Sequence, residues 1–264
     1  MDLETGIERA AGLIKRSHRV VVFTGAGIST ESGIPDFRGP GGIWSRYDPE
    51  DFTYQRFISS DSARIKHWEM IKETFAIEAS PNPAHIAIAE LDRLGKLDCI
   101  VTQNVDNLHQ KAGVSGKKVF ELHGNTRWIK CLGCGQRYPM SEISQRLKMG
   151  EAVPDCVKCH GILKPDAVFF GETLPQDVLN DAIAHSQSCD LCIVVGSTLL
   201  VYPAAYLPYY AVQAGAKLII INLGETPMDA EASVLIAGKA GEVLSRIIEK
   251  VKGSSNDGGA LGAE

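Results

Sequence analysis

Five times along this chain a short apolar or β-branched run stops abruptly at polar and turn residues. Arg19–Phe23 gives way to Thr24-Gly-Ala-Gly27, Asp98–Val101 to Thr102–His109, and Lys118–Leu122 to His123-Gly-Asn125. Asp190–Val195 gives way to Gly196–Pro203, and Lys217–Ile221 to Asn222–Glu225. Runs of this length and composition read as buried strands. Helical stripes lie between and beyond them: Ile7, Ala10, Ala11 and Ile14 within Glu4–Arg16, then a helix opened by Asn82-Pro83 and closed near Leu94-Gly95. A last stripe runs through Ala240, Val243, Leu244, Ile247, Ile248 and Val251. Strands alternating with helices specify a doubly wound, parallel α/β sheet. Such sheets bind ligands along the carboxyl ends of their strands, so the five polar loops are expected to line one crevice.

The first loop narrows the ligand class. Gly25 and Gly27 permit a tight strand-to-helix turn and a close backbone approach to a pyrophosphate. This is half of a dinucleotide fingerprint, so the sheet is expected to be Rossmann-like. The other half is missing: Thr30 stands where a third small residue belongs, and no strand with an acidic end follows about 20 residues later. Gly33–Gly42 is too rich in Gly and Pro for helix or strand, and it carries an aromatic, Phe37, and a fixed cation, Arg38. It reads as a cover over the cofactor. An ordinary hydride-transferring dehydrogenase has no need of one. Trp44–Ala79 carries seven aromatics without period-two alternation and reads as a helical insertion roofing that loop.

A net charge of −5 leaves no basic footprint for nucleic acid. The longest uncharged run, Leu191–Ala216, is interrupted by Gly196, Pro203, Pro208 and four tyrosines, so strand, turn and helix fit it better than a membrane span. Met1–Thr5 shows neither a basic nor an apolar signal region. A cytoplasmic protein without nucleic-acid or membrane contacts is expected. The tail from Gly253 is expected to be disordered.

Seven cysteines without a secretory context argue against a disulfide framework. Cys131-x-x-Cys134 and Cys156-x-x-Cys159, 21 residues apart, have zinc-ribbon spacing. Four thiolates saturate a tetrahedral Zn²⁺ and leave no open position, so the expected zinc is structural. His160 could substitute, but no vacancy requires it. Cys189 and Cys192, three apart at a strand start, are expected to face opposite sides and to behave as small hydrophobes, as is Cys99.

His123, directly after a strand and before a glycine, is the candidate general base. Asn104 and Asp106, two apart on a neighbouring loop, can aim hydrogen bonds into the same crevice, although Asp106 also suits helix capping. Ser197, Thr198 and Asn222 suit either nucleotide contact or turns. His85 and His109 read as packing or surface residues. There is no nucleophile elbow, poised cysteine or P-loop lysine.

Over residues 4–252 the chain resembles the sirtuins, NAD-dependent protein-lysine deacylases. The resemblance is carried by Gly25-Ala-Gly-Ile-Ser29, Gly33-Ile-Pro-Asp-Phe-Arg-Gly39, Thr102-Gln-Asn-Val-Asp106, Leu122-His-Gly124, the four cysteines, Phe169-Phe-Gly-Glu172, Gly196-Ser197 and Asn222. Val201–Ala205 and Gly224–Pro227 are most similar to prokaryotic members. It implies NAD contacts at Gly25, Ala26, Gly27, Thr30, Phe37, Arg38, Gln103, Gly196, Ser197, Thr198, Asn222, Leu223 and Ala240. Val105 and Asp106 would hold the nicotinamide carboxamide. The acyl oxygen would attack the ribose carbon as nicotinamide leaves, with Phe37 blocking its return. His123 would then deprotonate a ribose hydroxyl, Asn104 would position water or ribose, and the product would be O-acyl-ADP-ribose.

An acetylated lysine peptide would add as a strand between Val168–Glu172 (Val168, Phe170, Gly171 and Glu172) and the segment near Leu200–Tyr202. Phe170 would line the acyl tunnel. Members that prefer acidic acyl groups carry a Tyr-x-x-Arg pair, whereas Ser62–Glu78 here holds Arg64 and no tyrosine; neutral acyl groups are expected. The implied division is a Rossmann-like domain over 1–35, 83–124 and 165–252, a helical insertion over 36–82, a zinc ribbon over 125–164 and a tail over 253–264. Mono-ADP-ribosyl transfer to protein, and a non-catalytic NAD sensor that binds a partner through its zinc lobe, stand as alternatives.

Overall fold

The computed structural model describes residues 2–74 and 79–253. The expected tail beyond residue 253 lies outside them. In order, the elements are α1 (Leu3–Arg16), β1 (Val20–Thr24), α2 (Tyr54–Ser59), α3 (Asp61–Thr74), α4 (Pro83–Arg93), β2 (Leu97–Thr102) and α5 (Leu108–Lys111). Then come β3 (Val119–Glu121), β4 (Gly124–Cys131), β5 (Arg137–Pro139), α6 (Met140–Lys148), β6 (Leu163–Ala167), α7 (Gln176–Ser188), β7 (Leu191–Val195), α8 (Tyr206–Gln213), β8 (Lys217–Asn222), β9 (Val234–Ala237) and α9 (Ala240–Gly253).

Six strands pair in parallel in the order β3-β2-β1-β7-β8-β9. The order reverses direction between β1 and β7, and a doubly wound sheet opens its ligand crevice at that switch point. Strand residues alternate between two cores. Val20 and Val22 pack with α1, α4 and α9 on one face, through Ile14, Ile88 and Ile247 among others. Val21 and Phe23 pack with α7 and α8 on the other, through Ala182, Leu207 and Ala211. Both faces are therefore sealed, and loops are left to the strand ends. Asn82 caps α4 as expected, its side chain accepting from Ala84 N at 2.9 Å and His85 N at 3.4 Å.

Three readings need correction. The turn after β1 does not open an α-helix; Ala26–Ser32 is a 3₁₀ segment, so the backbone N–H groups there lack the dipole of a long helix. The sixth strand, β9, was not anticipated: its Val-Leu-Ile-Ala is short and lies at the sheet edge with alternating burial. Cys189 and Cys192 do not face opposite sides. Cys189 precedes the strand as the C-terminal cap of α7, so the alternation starts only at Leu191, and both thiols join Cys99 in one core. Burial pushes all three thiol pKa values up, which suits small hydrophobes.

A second, antiparallel sheet in the order β5-β4-β6 carries the four cysteines. Its core meets that of the insertion, with Trp68 and Ile71 of α3 packing with Ile129, Ile143 and Leu163. Among the described residues no helix is long and apolar enough to cross a membrane.

Candidate active site

The switch point is closed by backbone alone. Gly27 N donates to Gly196 O at 2.9 Å, Gly25 N to Val195 O at 3.1 Å, and Gly196 N to Ile221 O at 2.9 Å. Gly196 has φ +59°, and a Cβ there would stand 2.3 Å from Ile28 N. The turns after β1 and β7 thus pack at distances that only glycine allows.

Over this junction lies a crevice of about 1260 Å³. That exceeds the roughly 300–1,000 Å³ of a pocket for one small ligand, so there is room for two. The residues expected to act in catalysis or to contact cofactor line it: Gly25, Ala26, Gly27, Thr30, Phe37, Arg38, Gln103 through Asp106, His123, Gly196 through Thr198, Asn222, Leu223 and Ala240. So do the Val168–Glu172 segment and Val201 and Tyr202, but not Leu200. They are not equally sheltered. Asn104 and Ser197 are buried, whereas Leu223 is 72% exposed.

The polar groups form a connected set. His123 Nδ1 lies 3.0 Å from Gln103 O. A carbonyl only accepts, so Nδ1 carries the proton and Nε2 is left bare. Burial lowers the pKa of His123, partly offset by that hydrogen bond, which keeps the ring neutral at pH 7. Gln103 Nε2 donates to Ser197 Oγ at 3.0 Å, tying the β2 loop to the β7 loop. Asn104 Nδ2 donates to Gly25 O at 3.1 Å and to Ser29 Oγ at 3.2 Å, and Ser29 Oγ donates to Asp106 Oδ2 at 2.7 Å. Asp106 Oδ1 accepts from Leu108 N, the first residue of α5, at 2.9 Å, although the N-cap position itself is Asn107. Thr126 holds the Val105 carbonyl through its N–H and its hydroxyl. Ser29 also lines the crevice, and its only signal in the sequence is a hydroxyl two positions after Gly27.

Behind this set lie two buried imidazoles. His109 Nε2 contacts Thr24 Oγ1 at 3.0 Å, and its ring centre is 5.0 Å from that of His85. Burial pushes their pKa values down to about 3 and about 4. They are packing residues, not surface ones.

The segment expected to meet peptide is held from behind. Lys164 Nζ donates to Ala167 O at 2.6 Å and pairs with Glu172 Oε2 at 2.8 Å, and Glu172 also accepts from Phe169 N at 2.8 Å. Val168 N donates to His123 O at 2.8 Å, coupling this segment to the candidate base. On its other side Tyr54 N donates to Phe170 O at 2.9 Å.

The four sulfurs Cys131, Cys134, Cys156 and Cys159 all lie within 4.8 Å of one another, with Cys131–Cys159 at 3.5 Å and Cys134–Cys156 at 3.6 Å. Four thiolates about 2.3 Å from a zinc ion sit about 3.8 Å apart, so the cluster fits a tetrahedral structural Zn²⁺ and is too open for disulfides. Tyr138 Oη, 3.1 Å from Cys156 Sγ, adds an outer hydrogen bond. His160 instead meets Asp155 at 2.9 Å. Asp98, Cys99 and His185 also converge, but Arg19 occupies Asp98 at 3.0 Å, and a second cation there would be repelled.

Residues 25–203, spanning the nucleotide turn, the base loop and the four cysteines, match the profile of the Sir2 family. The chain belongs to the Sir2 family. Similar Sir2 proteins include the NAD-dependent protein deacetylase 1 of Pyrobaculum aerophilum, 45% identical over 94% of this chain and 95% of that one. The NAD-dependent protein deacylase 2 of Archaeoglobus fulgidus is 48% identical over 95% of this chain and 98% of its own length. Among solved structures, a Sir2 His-to-Ala variant with deacetylated p53 peptide and 3′-O-acetyl-ADP-ribose superposes with a TM-score of 0.87 at 41% identity, covering 92% of this chain and 98% of that one.

Proposed function

We infer that this Sir2 chain is an NAD-dependent protein deacetylase whose acyl range extends to other neutral groups on lysine, with NAD as co-substrate. The observation that carries the reading is the fixed tautomer of His123: a bare Nε2 on the wall between the glycine turn and the Val168–Glu172 segment. NAD supplies an electrophilic ribose carbon with nicotinamide as leaving group. The chain's residues do the rest. Gly25, Ala26, Gly27, Thr30, Arg38, Gln103, Gly196, Ser197, Thr198, Asn222, Leu223 and Ala240 hold the dinucleotide along the strand edge. Val105 and Asp106 hold the carboxamide, and Asp106 is oriented for this by Ser29 and Leu108 N. Phe37 covers the leaving-group side. His123 Nε2 takes the ribose hydroxyl proton, and Asn104 orients ribose or water.

Acyl-lysine peptide adds its backbone between Val168–Glu172 and the neighbourhood of Tyr202. The preference for neutral acyl groups is supported by the cations. Arg64 is turned away, donating to Phe57 O and Ile58 O and pairing with Asp61. Among the described residues only Arg38 and Lys239 bring a cation to the crevice wall. Four thiolates kept for zinc suit a reducing compartment, and we place the protein in the cytoplasm.

The test is nicotinamide release and peptide mass with NAD and acetyl-lysine peptide, comparing wild type with His123→Ala. Loss of a general base should lower turnover about 10²–10⁴-fold while NAD still binds. ADP-ribose appearing on the protein would replace this reading with mono-ADP-ribosyl transfer. Bound NAD with no release from any acyl peptide would leave a sensor.

A further inference from the structure

One arm of the crevice runs inward from its mouth as a wall of rings and apolar side chains. Phe170 at the mouth is 43% exposed, Trp44 follows 6.1 Å from it, and Phe52 lies 5.4 Å beyond Trp44. Beyond Phe52 the wall is almost fully buried, and there it includes one polar ring, His67 of α3, 5% exposed. His67 sits among Phe52 at 5.5 Å, Phe57 at 5.2 Å and Phe169 at 4.5 Å. Burial, reinforced by the Lys164 ammonium, pushes its pKa down to about 3. The ring is therefore neutral and offers one N–H donor and one bare nitrogen. Its Nδ1 is buried with no hydrogen-bond partner. A buried polar atom left unpaired is unfavourable, and because the ring that carries it lines the crevice, a turn of the imidazole brings that nitrogen to a ligand that completes it. The neighbouring Trp68 Nε1 is also unpartnered, but Trp68 does not line the crevice.

We propose that this arm receives a neutral acyl chain longer than acetyl that carries a hydroxyl or carbonyl group along its length, and that His67 is the residue that selects it by hydrogen bonding. The inference rests on the deacylase reading and sharpens its substrate class. A purely apolar chain fills the same wall but leaves the imidazole unpaired, and the ammonium near this depth, Lys164, is paired with Glu172 at 2.8 Å and does not line the arm, so it is not offered to an anionic chain. Acetyl is accepted because it does not reach the ring, so His67 discriminates only among the longer chains.

The experiment uses lysine peptides acylated with straight chains from butanoyl to octanoyl, each paired with its analogue carrying a hydroxyl on the chain. For each pair, the ratio of kcat/KM, hydroxylated over plain, is measured in wild type, His67→Leu and His67→Gln. Because the ratio is taken within one enzyme, general damage from a substitution cancels. At one chain length or more, the wild-type ratio should exceed that of His67→Leu by roughly 3- to 10-fold, the range of one net hydrogen bond, and Gln should restore part of it. An equal ratio in all three enzymes at every length overturns the proposal and leaves His67 a packing residue. A second measurement needs neither turnover nor a variant: the ¹⁵N shifts of the His67 ring should move with the selected hydroxylated peptide and not with its plain partner. Shifts that respond to neither, or to both alike, also overturn it. The deacylase reading could fail on acetyl peptide while the ring still responds, so the two failures are distinguishable.

Discussion

Replacing Gly196 by alanine tests the junction on which the crevice depends. Two penalties add. At φ +59° an L-residue carries a left-handed backbone, at about 1–2 kcal/mol. Its Cβ would also lie 2.3 Å from Ile28 N and 2.5 Å from Gly27 C, about 1 Å inside contact distance and against backbone that cannot rotate aside. Overpacking of that kind costs about 1–3 kcal/mol, so the total is about 2–5 kcal/mol. Gly33→Ala is the control, because it has φ +85° and nothing within 4 Å of its Cβ, leaving only the backbone penalty. Urea unfolding followed by circular dichroism should place Gly196→Ala about 1–3 kcal/mol below Gly33→Ala. Calorimetric NAD titration should show at least a roughly tenfold weaker affinity for Gly196→Ala, since the β1 and β7 loops must part by a sizeable fraction of an ångström. If the two variants unfold within about 0.5 kcal/mol of each other and bind NAD equally, the close approach does not govern the crevice and the reasoning fails.

Other outcomes follow from the same structure. His67, His85 and His109 are neutral when folded, with pKa values near 3, 4 and 3, and titrate near 6.5 when unfolded, so the unfolded chain takes the protons between those values. Stability should therefore be insensitive to these groups above about pH 6.5 and fall as pH drops toward 4, by up to about 1.4 kcal/mol per unit for each histidine. Urea midpoints that are flat from neutral pH to mildly acid would contradict it. Cys156→Ser should abolish stoichiometric zinc by elemental analysis and unfold the ribbon, with activity lost in step with near-UV ellipticity; a metal-free, fully active protein would remove the structural role. Lys164→Met strands Glu172 without its cation, at about 3 kcal/mol. It should raise peptide KM about tenfold, the equivalent of roughly 1.4 kcal/mol of that loss, while leaving the KM for NAD in place. An equal rise in both would show that the clasp is not particular to the peptide segment.

Much of this protein is determined by local sequence, because the signals involved are local. Strand runs of four to six residues announce their own burial, Asn82-Pro83 announces a helix start, and two cysteine knuckles announce tetrahedral sulfur. The polar residues just past the strand ends then converge, because parallel strands present their carboxyl ends on one edge. Tertiary structure alone decided the rest. That Asp106 is oriented by Ser29, 77 residues away in sequence, depends on how β1 and β2 pair. Cys189 shares a face with Cys192 because a helix cap delays the strand by two residues. His67 lies on a helix that shows no amphipathic stripe and has no motif around it, and only the packing of α3 against the aromatic arm makes it a buried, unpaired ring. The physical reason is common to all three. Periodicity and propensity report what a residue does to its own segment, whereas hydrogen bonding and desolvation depend on which other segment arrives beside it.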